Sequence, residues 1–596
     1  MTAGMRSIGI GGADWTVNDV IAVNAFIGSI FGNGGGGEVR NSEFLSKLRA
    51  QLGGWRGGGA FEDLMEADDR DAPTTTNRYF PYGRSGGEPT AGSPLVDVGS
   101  VQALPTTENR LASNFLVVNP WRSGTRESMA VMGPQLGYFY PEIVSEADLH
   151  GPGIQAHGAL VPGGGPYVLI GRTKDYAWSL TSASNDNRDQ FLEELCNPDG
   201  SAPTRDSRSY VYKGQCRPME TFDAGTLDGA PVRYPVTVHG PVSGTATVGG
   251  KPYAITRLRS TWGEDALSLA ALKDMTSGRG STVKGFYRSA NQFGFTFNWA
   301  YASRDTTAYF SSGKLPRRAP GTNKLLPTLG TGNYEWQGFL SRDEHPHEVG
   351  GPGGLLLNWN NKAAPGFMHG DDEAFGSVHR VELFDKWPRN PRLTDVVGVM
   401  NRAATEDVRS PVWPVISRVL HTGPAPSARD QKVVDLLDDW VRRDAPRLDA
   451  DDDGLYDEAS PTIMDQLWTP LARAVLGRVL TGGLLDDVNG VRGLGGLAGE
   501  SYVDKDLRTL LGDHVDGRFT LSYCGEGSLK VCRDSLWITL HVAADQLAEQ
   551  FGNPDPSTWL KTASRTGFQP GLIPNTMRAT NRPTFQQVLE FQHPRR

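Results

Sequence analysis

Ser113 could do chemistry without help from a histidine. It stands in Leu111-Ala112-Ser113-Asn114-Phe115-Leu116-Val117-Val118, where a polar stretch gives way to an apolar β-type run. If the Ala112–Ser113 bond were cut, this one residue would carry both a hydroxyl and an α-amine. An α-amine with a pKa of about 8 is partly neutral near pH 7 and can take the proton of its own hydroxyl. Without the cut, a serine before a strand is an ordinary turn residue. A second group is acidic. Asp186, Asp189 and the main-chain carbonyl of Arg188 between them can offer three oxygens to one hard cation, and Ca²⁺ takes roughly six to eight. In a third group, Asp449, Asp451, Asp453, Gly454 and Asp457 match the first nine positions of an EF-hand loop, but Ser460 stands at the twelfth, where a bidentate glutamate belongs. The alternative there is a solvated acidic loop. Gly83-Arg84-Ser85-Gly86-Gly87 fits a nucleophile elbow in letters only. It lies between Tyr79-Phe80-Pro81-Tyr82 and Glu88-Pro89-Thr90 rather than between a strand and a helix.

The elements that would position these groups are layered. Apolar residues at helical spacing run from Asp19 to Phe31, and Phe44, Leu45, Leu48 and Leu52 predict a second amphipathic helix after the turn-like GNGGGGE. From about Asp71 to Ala112 the chain is rich in Pro, Thr, Gly, Ser and Arg without periodicity, which predicts an exposed linker. Strands are expected at 115–118 and 167–171. Phe293, Phe295, Phe297, Trp299 and Tyr301 alternate with a period of two, an aromatic stripe read as core. Between about 390 and 480 the pattern is helical, with Val434, Leu437, Trp440 and Val441 on one face and Ser427 and Asp430 as a capping pair. Strand-rich and helix-rich stretches in one chain favour an α+β fold.

Several ordered segments carry a resemblance. SNFLVV is followed by GPQLGYFYPEI, LHGPG, VLIGRTKDYAWSLTSASNDNRDQF, VHGPV, NWNNKAAPGF and HRVE. In order and near-spacing these resemble the penicillin acylase family of N-terminal-nucleophile hydrolases, from about Trp15 to the C-terminal region. The resemblance implies a four-layer αββα sandwich with helical elaborations. It implies an amide hydrolase in which Ser113, freed by autocatalytic cleavage at Ala112–Ser113, is the nucleophile. Asn360 (side chain) and Ser182 (backbone N–H) would hold the oxyanion, Gln135 would position the α-amine, and Arg380 would support Asn360, with Asn358 as internal control. A structural Ca²⁺ would be held by Glu38, Asp186, Arg188, Asp189 and Asp371 or Asp372. Leu136, Ile170 and Ser184 occupy acyl-pocket positions where relatives accepting phenylacetyl groups carry larger, aromatic walls, so a hydrophobic, aliphatic-tolerant acyl donor is expected. The implied chains are a short one, 1–72, and a long one, 113–596, paired as a heterodimer after loss of a spacer, 73–112. The alternatives are a lipopeptide or N-acyl-homoserine-lactone acylase, and an inactive truncated remnant serving as a binding or structural module. Leu116 stands where the family usually has tryptophan, and an arginine–aspartate segment of the short chain is not found.

Composition bounds the partners. With 59 Lys+Arg against 68 Asp+Glu the net charge is −9, which disfavours nucleic acid as a partner. No run of about 18 apolar residues predicts a membrane span. Cys196 with Cys216 and Cys524 with Cys532 lack C-x-x-C spacing and read as two loop-closing disulfides, with unpaired buried thiols as the alternative. Disulfides imply a periplasmic or extracellular location. MTAGMRSIGIGGADWT has no charged segment leading into an apolar one, so the expectation is that the natural start lies upstream.

Overall fold

The computed structural model describes residues 15–592 apart from 66–68, 84–85, 104–112, 228, 373–374, 493–496 and 517–518. Two antiparallel sheets stack face to face. The smaller runs Leu355–Asn358, Asn114–Val118, Ser128–Gly133, Gln587–Phe591. The larger runs His347–Val349, Thr307–Ser311, Phe297–Ser303, Tyr176–Ser182, Ile170–Arg172, Ile154–Leu160, Ser145–Gly151. Phe115, Val117, Ala130 and Met132 of the first meet Ala177, Ala300, Ala302 and Tyr309 of the second. Leu116 and Val118 point the other way, toward Val396, Val399 and Met400 of helix Leu393–Ala403. The outer face of the larger sheet, with Trp178, Trp299 and Phe310, is covered by helices Leu269–Thr276 and Val283–Asn291. The layers are therefore helix, sheet, sheet, helix. A strand buried on both faces has no polar side to show, which is why Asn114–Val118 reads as a continuous apolar run.

The elaborations are a nine-stranded sheet built out from Arg188–Cys196 and Lys251–Arg259 and a separate helical core. That core joins Glu38–Leu52 and Gly54–Met65 to Trp413–Leu420, Ala428–Arg442, Ser460–Leu476 and Leu529–Phe551. In Ala428–Arg442 the Ser427 hydroxyl accepts from the Asp430 amide, and Val434, Leu437 and Trp440 are buried, as the periodicity predicts. The first helix spans Val17–Phe31. The strand expected at 167–171 is confined to Ile170–Arg172. Both disulfides form, Cys196–Cys216 and Cys524–Cys532.

The stretch read as an exposed linker is, in its described part, packed on the body. The amides of Thr75, Thr76, Phe80 and Tyr82 donate to the carbonyls of Lys362, Ala363, Pro365 and Gly366, and Phe80, Tyr82 and Val96 are buried. Gln102–Ala103 pairs with Thr245 and Gly244. Such irregular pairing leaves no periodic trace in sequence. Residues 104–112, with Ala112 of the expected cleavage bond, and Arg84 and Ser85 of the discounted elbow lie outside the described residues. Among the described residues, no helix is long and apolar enough to cross a membrane.

Candidate active site

The antiparallel register puts the central residues together. Phe115 faces Asn358 and Val118 faces Leu355. Continuing that register past the last pair sets Ser113 opposite Asn360. Ser113 is buried, with φ of 102°, and sits on the wall of a cavity that Ser182 also lines. Strand Tyr176–Ser182 pairs with Phe297–Ser303, Ser182 opposite Phe297. The Ala183 amide donates to the Thr296 carbonyl at 3.2 Å. Hydrogen-bonded pairs alternate with unbonded ones in an antiparallel ladder, so the N–H and C=O of Ser182 point away from that neighbour. They face the side where Ile170–Arg172 has already ended.

Asn360 is held from three directions. Its Nδ2 donates to the Ser182 carbonyl at 2.9 Å, its Oδ1 accepts from Arg380 Nη2 at 2.6 Å, and its amide donates to Asn358 Oδ1 at 2.9 Å. Because arginine only donates, this contact fixes which end of the carboxamide is oxygen. The backbone there is left-handed, φ 67°, a conformation asparagine tolerates better than most side chains. Arg380 also donates from Nε to the Trp359 carbonyl at 3.1 Å and lies over the Trp359 ring. Asn358 is no bystander. Its Oδ1 accepts from Asn360 and from Thr181 Oγ1, and its Nδ2 donates to Thr75, so it cannot serve as an internal control.

The Gln135 side chain joins Asn581 to Trp359. Its Nε2 donates to both the carbonyl and Oδ1 of Asn581, and its Oε1 accepts from Trp359 Nε1 at 2.7 Å. It thereby braces Trp359.

Among the described residues, none on the cavity wall is charged. Leu136 and Ile170 line it. Ser184 does not: it is buried, with φ of 49°, and its carbonyl accepts from Gly370. Phe293, Phe295, Phe297, Trp299 and Tyr301 all belong to the buried core, as the alternation predicts, and the three phenylalanines also line the cavity. Val23, Ile27 and Phe31 supply another wall from helix Val17–Phe31. The only sequence signals for these walls were the alternation itself and the apolar helix face.

A separate buried cluster joins Glu38, Asp186 and Asp189, whose ligand atoms all lie within 4.8 Å of one another. Glu38 opens helix Glu38–Leu52, and both of its carboxylate oxygens are buried without a hydrogen-bond partner. Burial, then the charges of Asp371, Asp189 and Asp186, hold its carboxyl well above the usual range. Burial pushes Asp186 up to about 7 against the pull of Arg318 and Lys324. Arg318 pairs with Asp186 at 2.8 Å and Asp189 at 2.5 Å. Gly35 forms a bridge with Arg188, whose carbonyl a Cβ on Gly35 would crowd. Asp371 lies outside the cluster of three. Its carboxylate accepts from the Gly36 and Gly37 amides and from Asn41 Nδ2, while Asp372 accepts from the Gly35 amide. These acids fasten the glycine loop that precedes Glu38. Unfilled buried oxygens and an all-oxygen donor set fit a hard cation.

Comparison with known proteins gives a consistent picture. The penicillin amidase family model matches residues 4–587. Penicillin G acylase of Escherichia coli is 24% identical over 491 residues, 74% of this chain and 56% of the relative. The acyl-homoserine lactone acylase QuiP of Pseudomonas syringae pv. tomato is 27% identical over 307 residues, 50% of this chain and 35% of the relative. The chain thus spans about half the length, or less, of these curated relatives. The structure of a thermostable penicillin G acylase from Alcaligenes faecalis superposes with a TM-score of 0.68 at 21% identity, covering 80% of this chain and 88% of that one.

Proposed function

Because this chain belongs to the penicillin amidase family, we propose that it hydrolyses amides of neutral, apolar acyl groups through an acyl-serine on Ser113. The observation that carries this reading is the shared position of Ser113 and Ser182 on a cavity whose described wall residues are uncharged, with Asn360 bonded to the Ser182 carbonyl. Cleavage of Ala112–Ser113 first releases the α-amine and yields a short and a long chain that stay paired. The backbone favours the cut: φ of 102° is strained for serine, a cost on the order of 1–3 kcal/mol, and the torsion ceases to exist once the preceding carbonyl is gone.

In the reaction, the neutral α-amine takes the Ser113 hydroxyl proton as Oγ attacks the substrate carbonyl carbon. Charge collects on the carbonyl oxygen and is met by the Asn360 Nδ2–H and the Ser182 N–H. The C–N bond then breaks, the leaving amine receives the proton, and the acyl group remains on Oγ. Water, deprotonated by the same α-amine, attacks the ester, and the ester C–O bond breaks as that proton passes to Oγ, which frees the acid and restores Ser113. Arg380 acts through Asn360 by holding its oxygen, and Gln135 acts through Trp359. Glu38, Asp186 and Asp189, with the Arg188 carbonyl, would hold a structural Ca²⁺, which when bound neutralises their mutual repulsion and ties the short chain to the long one. Two disulfides support a periplasmic or extracellular location.

A second reading, straight-chain acyl amides such as acyl-homoserine lactones, is supported by the apolar lining of the cavity and by the likeness to acyl-homoserine lactone acylases. A panel of chromogenic anilides of graded acyl length separates the two. Apolar acyl anilides should be cleaved with a burst of amine before steady state. If carboxylate-bearing acyl groups are the preferred donors, the reading is wrong.

A further inference from the structure

Between helices Ala428–Arg442 and Ser460–Leu476 lies the acidic loop Asp449-Ala450-Asp451-Asp452-Asp453-Gly454-Leu455-Tyr456-Asp457. A carboxylate oxygen from each of Asp449, Asp451 and Asp453 lies within 4.8 Å of the other two. Acidic loops are common without an ion, so the clustering alone decides nothing. Asp449 decides it. This residue is 4% exposed, and neither of its carboxylate oxygens has a hydrogen-bond partner. A buried carboxylate with empty lone pairs is costly unless a positive charge sits on it. The nearby guanidinium groups are engaged elsewhere: Arg447 pairs with Asp407 and Asp465, and Arg565 and Arg578 pair with Asp452.

The backbone fits the same reading. Gly454, sixth in the loop, has φ of 89° although a Cβ there would meet nothing, so the turn itself demands the glycine. Its carbonyl accepts from the Ala563 amide at 2.9 Å, the Tyr456 amide donates to the Lys561 carbonyl at 3.1 Å, and Leu455 bridges Thr562. The loop is thus clamped while its odd-numbered carboxylates converge. Asp452, at an even position, turns outward to the two arginines. Asp457, ninth, folds back to accept from the Ala450 amide at 2.8 Å. Ser460 spends its hydroxyl on the Leu436 carbonyl and offers nothing as a twelfth ligand.

We propose that this loop binds one Ca²⁺ through Asp449, Asp451 and Asp453, with the Leu455 carbonyl in the seventh-position role and water in place of the missing glutamate. Lacking the bidentate ligand, it belongs with weak sites of about 10⁻⁴–10⁻³ M. Asp449 and Tyr456 also line a cleft with Asn581.

The test is a Tb³⁺ titration of the full protein, followed by emission sensitised by Tyr456 beside the loop, with Ca²⁺ as competitor and Mg²⁺ as control. The wild type should bind one more ion than the Asp451→Ala/Asp453→Ala variant, whose substituted side chains are exposed. Millimolar Ca²⁺ should raise the Tm of the wild type in a step the variant lacks. Equal stoichiometry together with an equal Tm response would overturn the proposal. If the Glu38 cluster holds no ion, the counts become one and zero rather than two and one, so failure of that reading is distinguishable from failure of this one.

Discussion

Replacing Asn360 separates chemistry from strain, because its side chain and its backbone are constrained in different ways. Asn360→Gly removes the Nδ2 donor but accepts φ of 67° freely, whereas Asn360→Ala removes the same donor and must hold a left-handed backbone, at a cost of about 1–2 kcal/mol. Both lose the bond to the Ser182 carbonyl and the acceptor for Arg380, each worth about 1 kcal/mol of stability. Loss of one donor to a developing oxyanion costs about 3–4 kcal/mol, so kcat should fall by about a hundred- to a thousandfold in both variants with KM little changed. The Ala variant should melt below the Gly variant while matching it in kcat. Ser182→Ala is the built-in contrast: the other donor is main chain, and the Ser182 hydroxyl is buried without a partner, so kcat should hold. Initial rates on a chromogenic anilide and thermal melts of all three variants provide the measurements. A Gly variant with near-normal kcat, or an activity loss that tracks Tm instead of the side chain, refutes the oxyanion role.

Three further outcomes follow from the packing. Helix Val17–Phe31 approaches Phe295 at Gly28, where a Cβ would lie 2.0 Å from the ring edge, so Gly28→Ala should destabilise by about 1–3 kcal/mol and, by shifting Phe295 into the cavity, lower kcat/KM for bulky acyl donors more than for short ones. An unchanged acyl-length profile would show that this wall does not contact the acyl group. In the Asp451→Ala/Asp453→Ala background, EDTA should still lower Tm and added Ca²⁺ restore it, since an ion bound only by the folded state stabilises by mass action; an EDTA-insensitive Tm there excludes an ion at Glu38, Asp186 and Asp189. Finally, burial opposes a charged His239, but its contacts with Glu193 at 2.7 Å and Glu335 at 3.0 Å more than offset this and raise it to about 9. The folded ring keeps its proton where the unfolded one, with a pKa of about 6.5, has lost it, so this stabilisation is complete below about 6.5 and lost as pH rises through about 9. His239→Gln should flatten the decline of Tm over that window, and a parallel decline in both proteins would contradict the assignment.

What the sequence carried was mostly local. Asn114–Val118 is recognisable because double burial writes an unbroken apolar run, and Ala428–Arg442 because a capped amphipathic helix writes both its start and its face. The spacing from Ser113 to NWNN became geometry through a single register, Phe115 to Asn358. What local pattern leaves out depends on partners far away in the chain. Gln135 is claimed by Asn581 and Trp359, Asp371 by the amides of Gly36 and Gly37, and the proline-rich stretch after Asp71 by the loop at 362–366. Period two in Phe293, Phe295 and Phe297 could say that the rings share an environment, but not that the environment is a cavity. That depends on helix Val17–Phe31, whose Val23, Ile27 and Phe31 supply the facing wall.

The central claim is that a cut before Ser113 makes the catalyst, and intact mass spectrometry of the purified, active protein tests it most directly. The account predicts two chains, the longer beginning with Ser113, and a single uncut, inactive chain for Ser113→Ala. Full turnover by an uncut wild-type chain would contradict it.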